Sequence, residues 1–439
     1  MKKNIQAFLL CSLFSLSAIA QTFNQIKLDS LFDSLETNDK FMGSIAISQN
    51  GTQLYAHALG YADIDSGQKA DTNTKYRIGS ISKMFTASLI FKAIEANKLQ
   101  LDDPLANFFP DIENAKEITI KHLLGHRSGI FNFTNSESYL TWNTTPKTRA
   151  ELLQIIQKTP NVFEPDAKTA YSNSNFVLLT FILEDVFKQS YAELVKEHIT
   201  EPLNMKSTYV GSKINLGSNE SNSYRFTGAW TKQPETDMSV PLGAGAIVST
   251  PADLNIFINA LFDQKLIAAA SLEQMTTINE GLGLGIMQFP FKDKMGYGHG
   301  GGIDGFTSFL GYLKEDKIAV ALTSNGTLYD NNQILIPAVS AVLGVPFDVP
   351  SFEEVEVDSN ILDRYVGEYS STQLPLKITI TKEGSSISAQ ATGQSAFPLT
   401  ATATNVFKFD PAGVVLEFDE SKNQMTLKQG GGVFMFTKE

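Results

Sequence analysis

Cysteine is nearly missing. The chain of 439 residues has one, Cys11, and it falls within the first twenty positions. Those positions have the form of a secretory signal. Lys2 and Lys3 lead, an apolar run follows from Phe8 to Leu16, and Ser17-Ala18-Ile19-Ala20 ends small-x-small before Gln21. A mature chain starting there would carry no thiol, no disulfide and no cysteine metal site. Lipid attachment at Cys11 fits poorly, because bulky Leu10 precedes it and the apolar run continues past it. Basic residues are also scarce, 35 Lys and Arg against 47 Asp and Glu, for a net charge of −12. That balance argues against nucleic acid or an anionic membrane surface as a partner. No later stretch is apolar and long enough to span a membrane. The expectation is an exported, periplasmic or secreted protein with a signal peptide at 1–20. Nothing in the sequence fixes its oligomeric state.

The length predicts two domains, and a hydrophobic content of 42% supports real cores. Residues 24–37 place Ile26, Leu28, Leu31, Phe32 and Leu35 at helical spacing. Two strands follow at 42–48 and 53–59 around the hairpin signal Asn50-Gly51. From about 100 to 270 the pattern is mostly helical, clearest at 152–157, 176–187 and 191–199. Thr250-Pro251-Ala252-Asp253 reads as a capped helix start. Residues 211–238 read as a long Ser/Asn/Gly-rich loop. Strands return at 282–289, 306–313 and 318–323, followed by a helix at 333–343. The fold class is therefore α+β: one mainly antiparallel sheet drawn from both ends of a domain over 21–345, flanked by helices, with a helical subdomain beside it. Residues 346–360 read as a linker, and the alternating pattern over 361–439 as a small all-β domain.

Chemistry concentrates at Tyr76-Arg77-Ile78-Gly79-Ser80-Ile81-Ser82-Lys83. An extended stretch runs into a helix that is apolar nearly all round (Met84, Phe85, Leu89, Ile90, Phe91, Ile94), and such a helix is buried. Ser80 and Lys83 share one face of it. A lysine in a low-dielectric site loses preference for its charged form and can help remove a serine proton, while the helix start favours developing negative charge. The plain alternative makes Ser80 a helix cap and Lys83 a solvated first-turn residue. A second match, Ser66-Gly67-Gln68-Lys69, lies in turn chemistry.

A serine–lysine pair needs a further proton carrier and an oxyanion hole. Tyr171-Ser172-Asn173 puts a phenol and an amide at a helix entry; the alternative is a packing tyrosine and a capping asparagine. Gly298-His299-Gly300-Gly301-Gly302 suits an edge strand lining a cleft, with His299 turned to it; the alternative is a glycine-rich hairpin with an incidental histidine. Three other patterns carry little. Gly300 to Gly305 fits a dinucleotide fingerprint but precedes a strand. His122 and His126 lack a third metal ligand. Asp63 to Gly67 imitates a calcium loop but meets Thr74 where its glutamate belongs. Neither metal nor cofactor is expected.

Ser80-x-x-Lys83, Tyr171-x-Asn173 and His299-Gly300-Gly301, in this order, resemble the serine β-lactamase-like family of the class C type, which includes D-Ala-D-Ala carboxypeptidases, D-aminopeptidases and esterases. Ile118 to Gly129, Glu201 to Met205 and Gly243 to Thr250 are similar to it too, so the resemblance spans about 24–345. It implies the β-lactamase/transpeptidase-like fold. It implies Ser80 as nucleophile, with Lys83 and Tyr171 sharing proton transfer and the base not assigned between them. It implies Asn173, His299 and Gly301 as substrate-binding residues, and an oxyanion hole from the Ser80 and Gly302 N–H groups. Two departures stand out. His299 replaces the lysine usual in true β-lactamases, and Asp166 stands where the family often has glycine. The C-terminal segment resembles appended lipocalin-like domains. The implied activity is an exported hydrolase forming an acyl-enzyme on D-amino-acid, cell-wall type peptides. Small esters or amides are the enzymatic alternative, and a non-catalytic cell-wall peptide binder the alternative from another class.

Overall fold

The computed structural model describes residues 23–439, so the segment 1–20, expected to be a signal peptide, lies outside the described residues. Helix α1 (Gln25–Thr37) starts where the Asn24 side chain accepts the Lys27 N–H, and buries Leu28, Leu31, Phe32 and Leu35. Strands β1 (Phe41–Gln49) and β2 (Thr52–Leu59) form the expected hairpin, with Asn50 and Gly51 both at positive φ. Strand β3 (Tyr76–Arg77) leads through a 3₁₀ turn, Gly79–Ile81, into α2 (Ser82–Glu95). The greasy circumference of α2 is buried on every side, including Met84, Phe85, Leu89, Ile90 and Phe91. Helix α3 spans Asn173–Phe187.

The 211–238 segment corrects the expectation of a plain loop. It contains a 3₁₀ turn at Leu216–Ser218 and a small hairpin of β4 (Tyr224–Phe226) and β5 (Trp230–Lys232). Three-residue strands are too short for alternation to register. Strand β6 (Ile247–Ser249) pairs with β3. Helix α4 (Pro251–Phe262) begins as expected, with the Thr250 hydroxyl accepting the Asp253 N–H.

Strand β7 (Met287–Phe291) is shorter than the predicted 282–289, because Gly285 at φ +76 breaks the run before it. It is followed by β8 (Lys294–Ile303), β9 (Phe306–Leu313), β10 (Ile318–Thr327) and helix α5 (Asn332–Val342). The predicted helix over 191–199 ends as an α-helix at Val195 and continues as a π turn, Lys196–Thr200.

The main sheet is antiparallel in the order β7-β8-β9-β10-β1-β2, so the first and last strands of this part meet in its middle. One face packs on α1 and α5 through Phe32, Ile45, Ile47, Leu322 and Ile334. The larger core behind the other face is built from α2, α3 and α4, with Phe85 and Phe257 stacked 3.9 Å apart. Strand β7 pairs only with Lys294 to Gly298. From His299 to Ile303, β8 is therefore an open edge, and the Gly79–Ile81 turn lies against it.

No helix or strand forms between residues 343 and 358. A short helix, Ser359–Tyr365, then enters a closed barrel of eight antiparallel strands between Gly367 and Lys438. Closure leaves no free edge. Its interior is filled by Ile380, Phe407, Leu416, Phe418, Met425 and Phe436, with Tyr365 stacked on Phe418.

Candidate active site

The plain alternatives for Ser80 and Lys83 do not hold. No side-chain cap is made at the start of either the 3₁₀ turn or α2, and Lys83 is fully buried. Lys83 Nζ lies 3.0 Å from Ser80 Oγ, 2.7 Å from Asn173 Oδ1 and 2.7 Å from the Ala244 carbonyl oxygen. None of its partners is a carboxylate, so burial alone pulls its pKa well below that of an ordinary lysine.

That geometry has a donor count. The Ala244 carbonyl and the Asn173 amide oxygen can only accept. A neutral amine has two N–H bonds for these two acceptors and one lone pair, which then faces the Ser80 hydroxyl. The Asn173 amide nitrogen donates to Thr134 Oγ1 at 3.1 Å, which orients the oxygen toward the lysine. Asn173 is the first residue of α3 but caps nothing.

Tyr171 is brought against the same pair, its ring 4.8 Å from Lys83 Nζ. Burial raises its phenol far above the ordinary range, and the neighbouring Ser80 hydroxyl acts weakly the other way. The Tyr171 ring stacks on His126 at 4.4 Å. His126 Nδ1 accepts the Ser172 N–H, and its carbonyl accepts the Ala170 N–H. His126 thus clamps residues 170–172. The sequence singled it out only as an unpromising metal ligand. Its φ of +57 and its packing among Tyr171 and Phe176 are tertiary facts. Its former companion His122 is a capping residue, its Nδ1 accepting the Thr119 N–H.

His299 is buried, with its ring centroid 6.2 Å from that of Tyr171. Its Nδ1 donates to the Gly300 carbonyl, leaving Nε2 as an acceptor. Desolvation, with Lys83 adding to it, pulls its pKa down to about 3, so the ring is neutral near pH 7.

Strand β8 touches the nucleophile turn through glycine. A β-carbon on Gly301 would meet the Ile78 carbonyl oxygen at 2.1 Å, and one on Gly79 the Gly302 backbone nitrogen at 2.8 Å. Gly79 has φ +50. The Ser308 hydroxyl, on the neighbouring strand β9, donates to Ile78 O and fixes the residue before the turn to the sheet. All residues proposed from the sequence for this site converge on it: Ser80, Lys83, Tyr171, Asn173, His299, Gly301 and Gly302.

Arg77, just upstream, was not read as part of any site. Its buried guanidinium bonds Asp304 and Glu235 at 2.9 and 2.7 Å and the carbonyls of Thr236 and Ser212. It ties the 211–238 segment to the end of β8. Asp166, where glycine was expected, adopts φ +65, a conformation glycine takes without cost, and pairs with Arg127.

The site opens into a cleft of about 660 Å³. It is lined by Phe133, Tyr139, Leu140 and Pro241, and by Arg225, Gln233, Pro234 and Thr236 from the 211–238 segment.

A serine held by a buried amine at the seam of an antiparallel sheet and a helical lobe defines a serine hydrolase of the β-lactamase/transpeptidase-like fold. The Beta-lactamase family model matches residues 28–341, and the chain belongs to that family of hydrolases. It is 27% identical over 428 residues to penicillin-binding protein 4* of Bacillus subtilis (strain 168), covering 89% of this chain and 93% of that one. It is 28% identical over 310 residues to the teichoic acid D-alanine hydrolase of Staphylococcus aureus (strain MRSA252), covering 68% and 73%. Among solved structures, the D-amino acid amidase of Ochrobactrum anthropi SV3 complexed with D-phenylalanine aligns at TM-score 0.65 and 24% identity over 72% of this chain and 98% of that one. The octameric penicillin-binding protein homologue of Pyrococcus abyssi aligns at TM-score 0.67 and 24% identity over 94% of this chain and 100% of that one. At these identities the structural likenesses establish the fold.

Proposed function

We propose that this protein is an exported serine hydrolase that forms an acyl-enzyme on Ser80 with D-amino-acid substrates of the cell-wall type, as peptides, amides or esters. The observation that carries the reading is Lys83: fully buried, free of any carboxylate, and 3.0 Å from Ser80 Oγ. Neutral Lys83 takes the Ser80 proton as Oγ bonds to the substrate carbonyl carbon. The negative charge on the carbonyl oxygen falls between the N–H groups of Ser80 and Gly302. Tyr171, which burial keeps protonated, relays a proton to the leaving amine or alcohol as its bond to the carbonyl carbon breaks. Water then cleaves the Ser80 ester by the reverse proton path. Asn173 holds the substrate amide, neutral His299 accepts from it through Nε2, and Gly301 lets its backbone lie close to β8.

The substrate class is supported by relatives named for penicillin binding and D-alanine hydrolysis. Export is supported by the form of residues 1–20.

Intact mass of the mature protein and of Ser80→Ala, after a fluorophosphonate and after benzylpenicillin, tests the reading. A phosphonate adduct on wild type alone is expected. A lasting penicillin adduct beside it favours peptides, and its absence esters or amides. No adduct of either kind sinks the acyl-enzyme and leaves a binding protein.

A further inference from the structure

Among the residues lining the cleft, formal charge is confined to Arg225 and Asp304. They are not equivalent. The Asp304 carboxylate is saturated by Arg77 Nη1, the Thr236 N–H and the Thr236 hydroxyl at 2.6–2.9 Å, and its side chain is 6% exposed. The floor of the site adds little charge, since burial drives Lys83, His126 and His299 toward their neutral forms. Arg225 is exposed, and among the described residues its guanidinium has no carboxylate partner and no hydrogen-bond acceptor.

Its placement is also built rather than accidental. Arg225 pairs with Thr231 across the β4–β5 hairpin. Side chains alternate along a strand, so its buried neighbour Tyr224 anchors the opposite side. The Tyr224 hydroxyl donates to Asp63 and accepts the Ile64 N–H. The Ser223 hydroxyl donates to the Asp304 carbonyl, and the Gln233 N–H to the Ser223 carbonyl. Trp230 packs on Gly326. A framework of buried polar bonds therefore holds one unneutralised cation over the mouth, in a protein whose net charge of −12 would otherwise disfavour an anion there. Salt screens that distant charge beyond about 8 Å, so the local guanidinium decides.

We propose that Arg225 is a specificity-determining residue that receives an anionic group, carboxylate or phosphate, on the substrate beyond the scissile bond. The inference rests on the Ser80 acyl-enzyme reading and narrows its substrates to acids. Guanidinium suits both groups through bidentate hydrogen bonds.

Two matched pairs of substrates separate the sources of the anion: acetyl-D-alanyl-D-alanine against its C-terminal amide, and the D-alanyl ester of glycerol phosphate against that of glycerol. Within at least one pair the charged member should be favoured by about fivefold or more in kcat/KM, a preference that added salt reduces. The favoured pair identifies a peptide carboxylate or a polymer phosphate. In Arg225→Gln the ratio should fall to about one, and Arg225→Lys should restore part of it. Thermal midpoints equal to wild type verify that both variants are folded. A charge preference that survives in Arg225→Gln, with turnover still requiring Ser80, overturns this proposal alone. Neither charged compound being turned over, or slowing fluorophosphonate labelling of Ser80, overturns it as well. Turnover retained in Ser80→Ala overturns the acyl-enzyme reading beneath it.

Discussion

Lys83 Nζ and the Ala244 carbonyl oxygen lie 2.7 Å apart, so the lysine is tethered by a backbone acceptor besides its contact with Ser80. With Asn173 holding a second N–H, the remaining lone pair has one direction left, toward the serine. Without that tether only Asn173 and Ser80 would orient the amine.

Activity should accordingly follow the neutral form of Lys83. Its pKa is lowered by burial, so the base is formed above that value and lost as pH falls through it. Burial raises the Tyr171 phenol, so loss of its proton comes only in strong alkali. The profile of kcat/KM should rise to a broad plateau. His299→Gln should leave the acid limb where it is, because that ring stays neutral down to about pH 3. Lys83→Met should lower kcat by about 10²–10⁴-fold. A limb that disappears with His299 would contradict the assignment.

Gly79→Ala should damage the site without touching a catalytic side chain. The new β-carbon would lie 2.8 Å from Gly302 N, at a φ of +50 that alanine resists. Either the nucleophile turn or β8 must shift. Both carry a proposed oxyanion donor, and losing one such donor costs about 10²–10³-fold in kcat. Steady-state kinetics beside a thermal melt check this. An active, stable Gly79→Ala would show that the close approach is unimportant.

The buried histidines should make stability depend on acid. His126 and His299 have lowered pKa values in the folded chain, against an ordinary 6.5. Between about pH 6.5 and 3 the unfolded chain therefore binds more protons, so stability is intact above that window and declines as pH falls through it. Each ring contributes a slope of at most about 1.4 kcal/mol per pH unit. Denaturant midpoints measured from pH 7 to 4 should fall less steeply in His299→Gln. An unchanged slope would show that the ring is protonated while folded.

The parts of this molecule that local chemistry dictates were readable from its sequence. The heptad-like spacing in α1, the Asn50-Gly51 turn and the Thr250-Pro251 cap depend on neighbours a few positions away. The site motifs were readable for another reason: Ser80 and Lys83 stand three positions apart, on the 3₁₀ turn and the first turn of α2 that continues it, and each remaining motif sits on a turn or glycine run with its own signature. His126 left no such trace, because its partners Ala170 and Ser172 lie on a distant segment. Arg77 and Asp304 meet across more than two hundred positions. The β4–β5 hairpin is two three-residue strands stabilised by contacts to Asp63 and Asp304 rather than by its own pattern. Long-range polar pairing has no period to detect.

The pairing of β1 with β10 carries a consequence for how the chain acquires its shape. Phe41 lies opposite Thr327 and Gln49 opposite Ile318, in the middle of the sheet. The central ladder therefore waits until both ends of this part of the chain are available, and closing so long a loop makes folding slow. During that wait the apolar run of β10, Ile318 to Leu322, is paired only on its β9 side, and the edge left open for β1 is the hazard that chaperones would relieve.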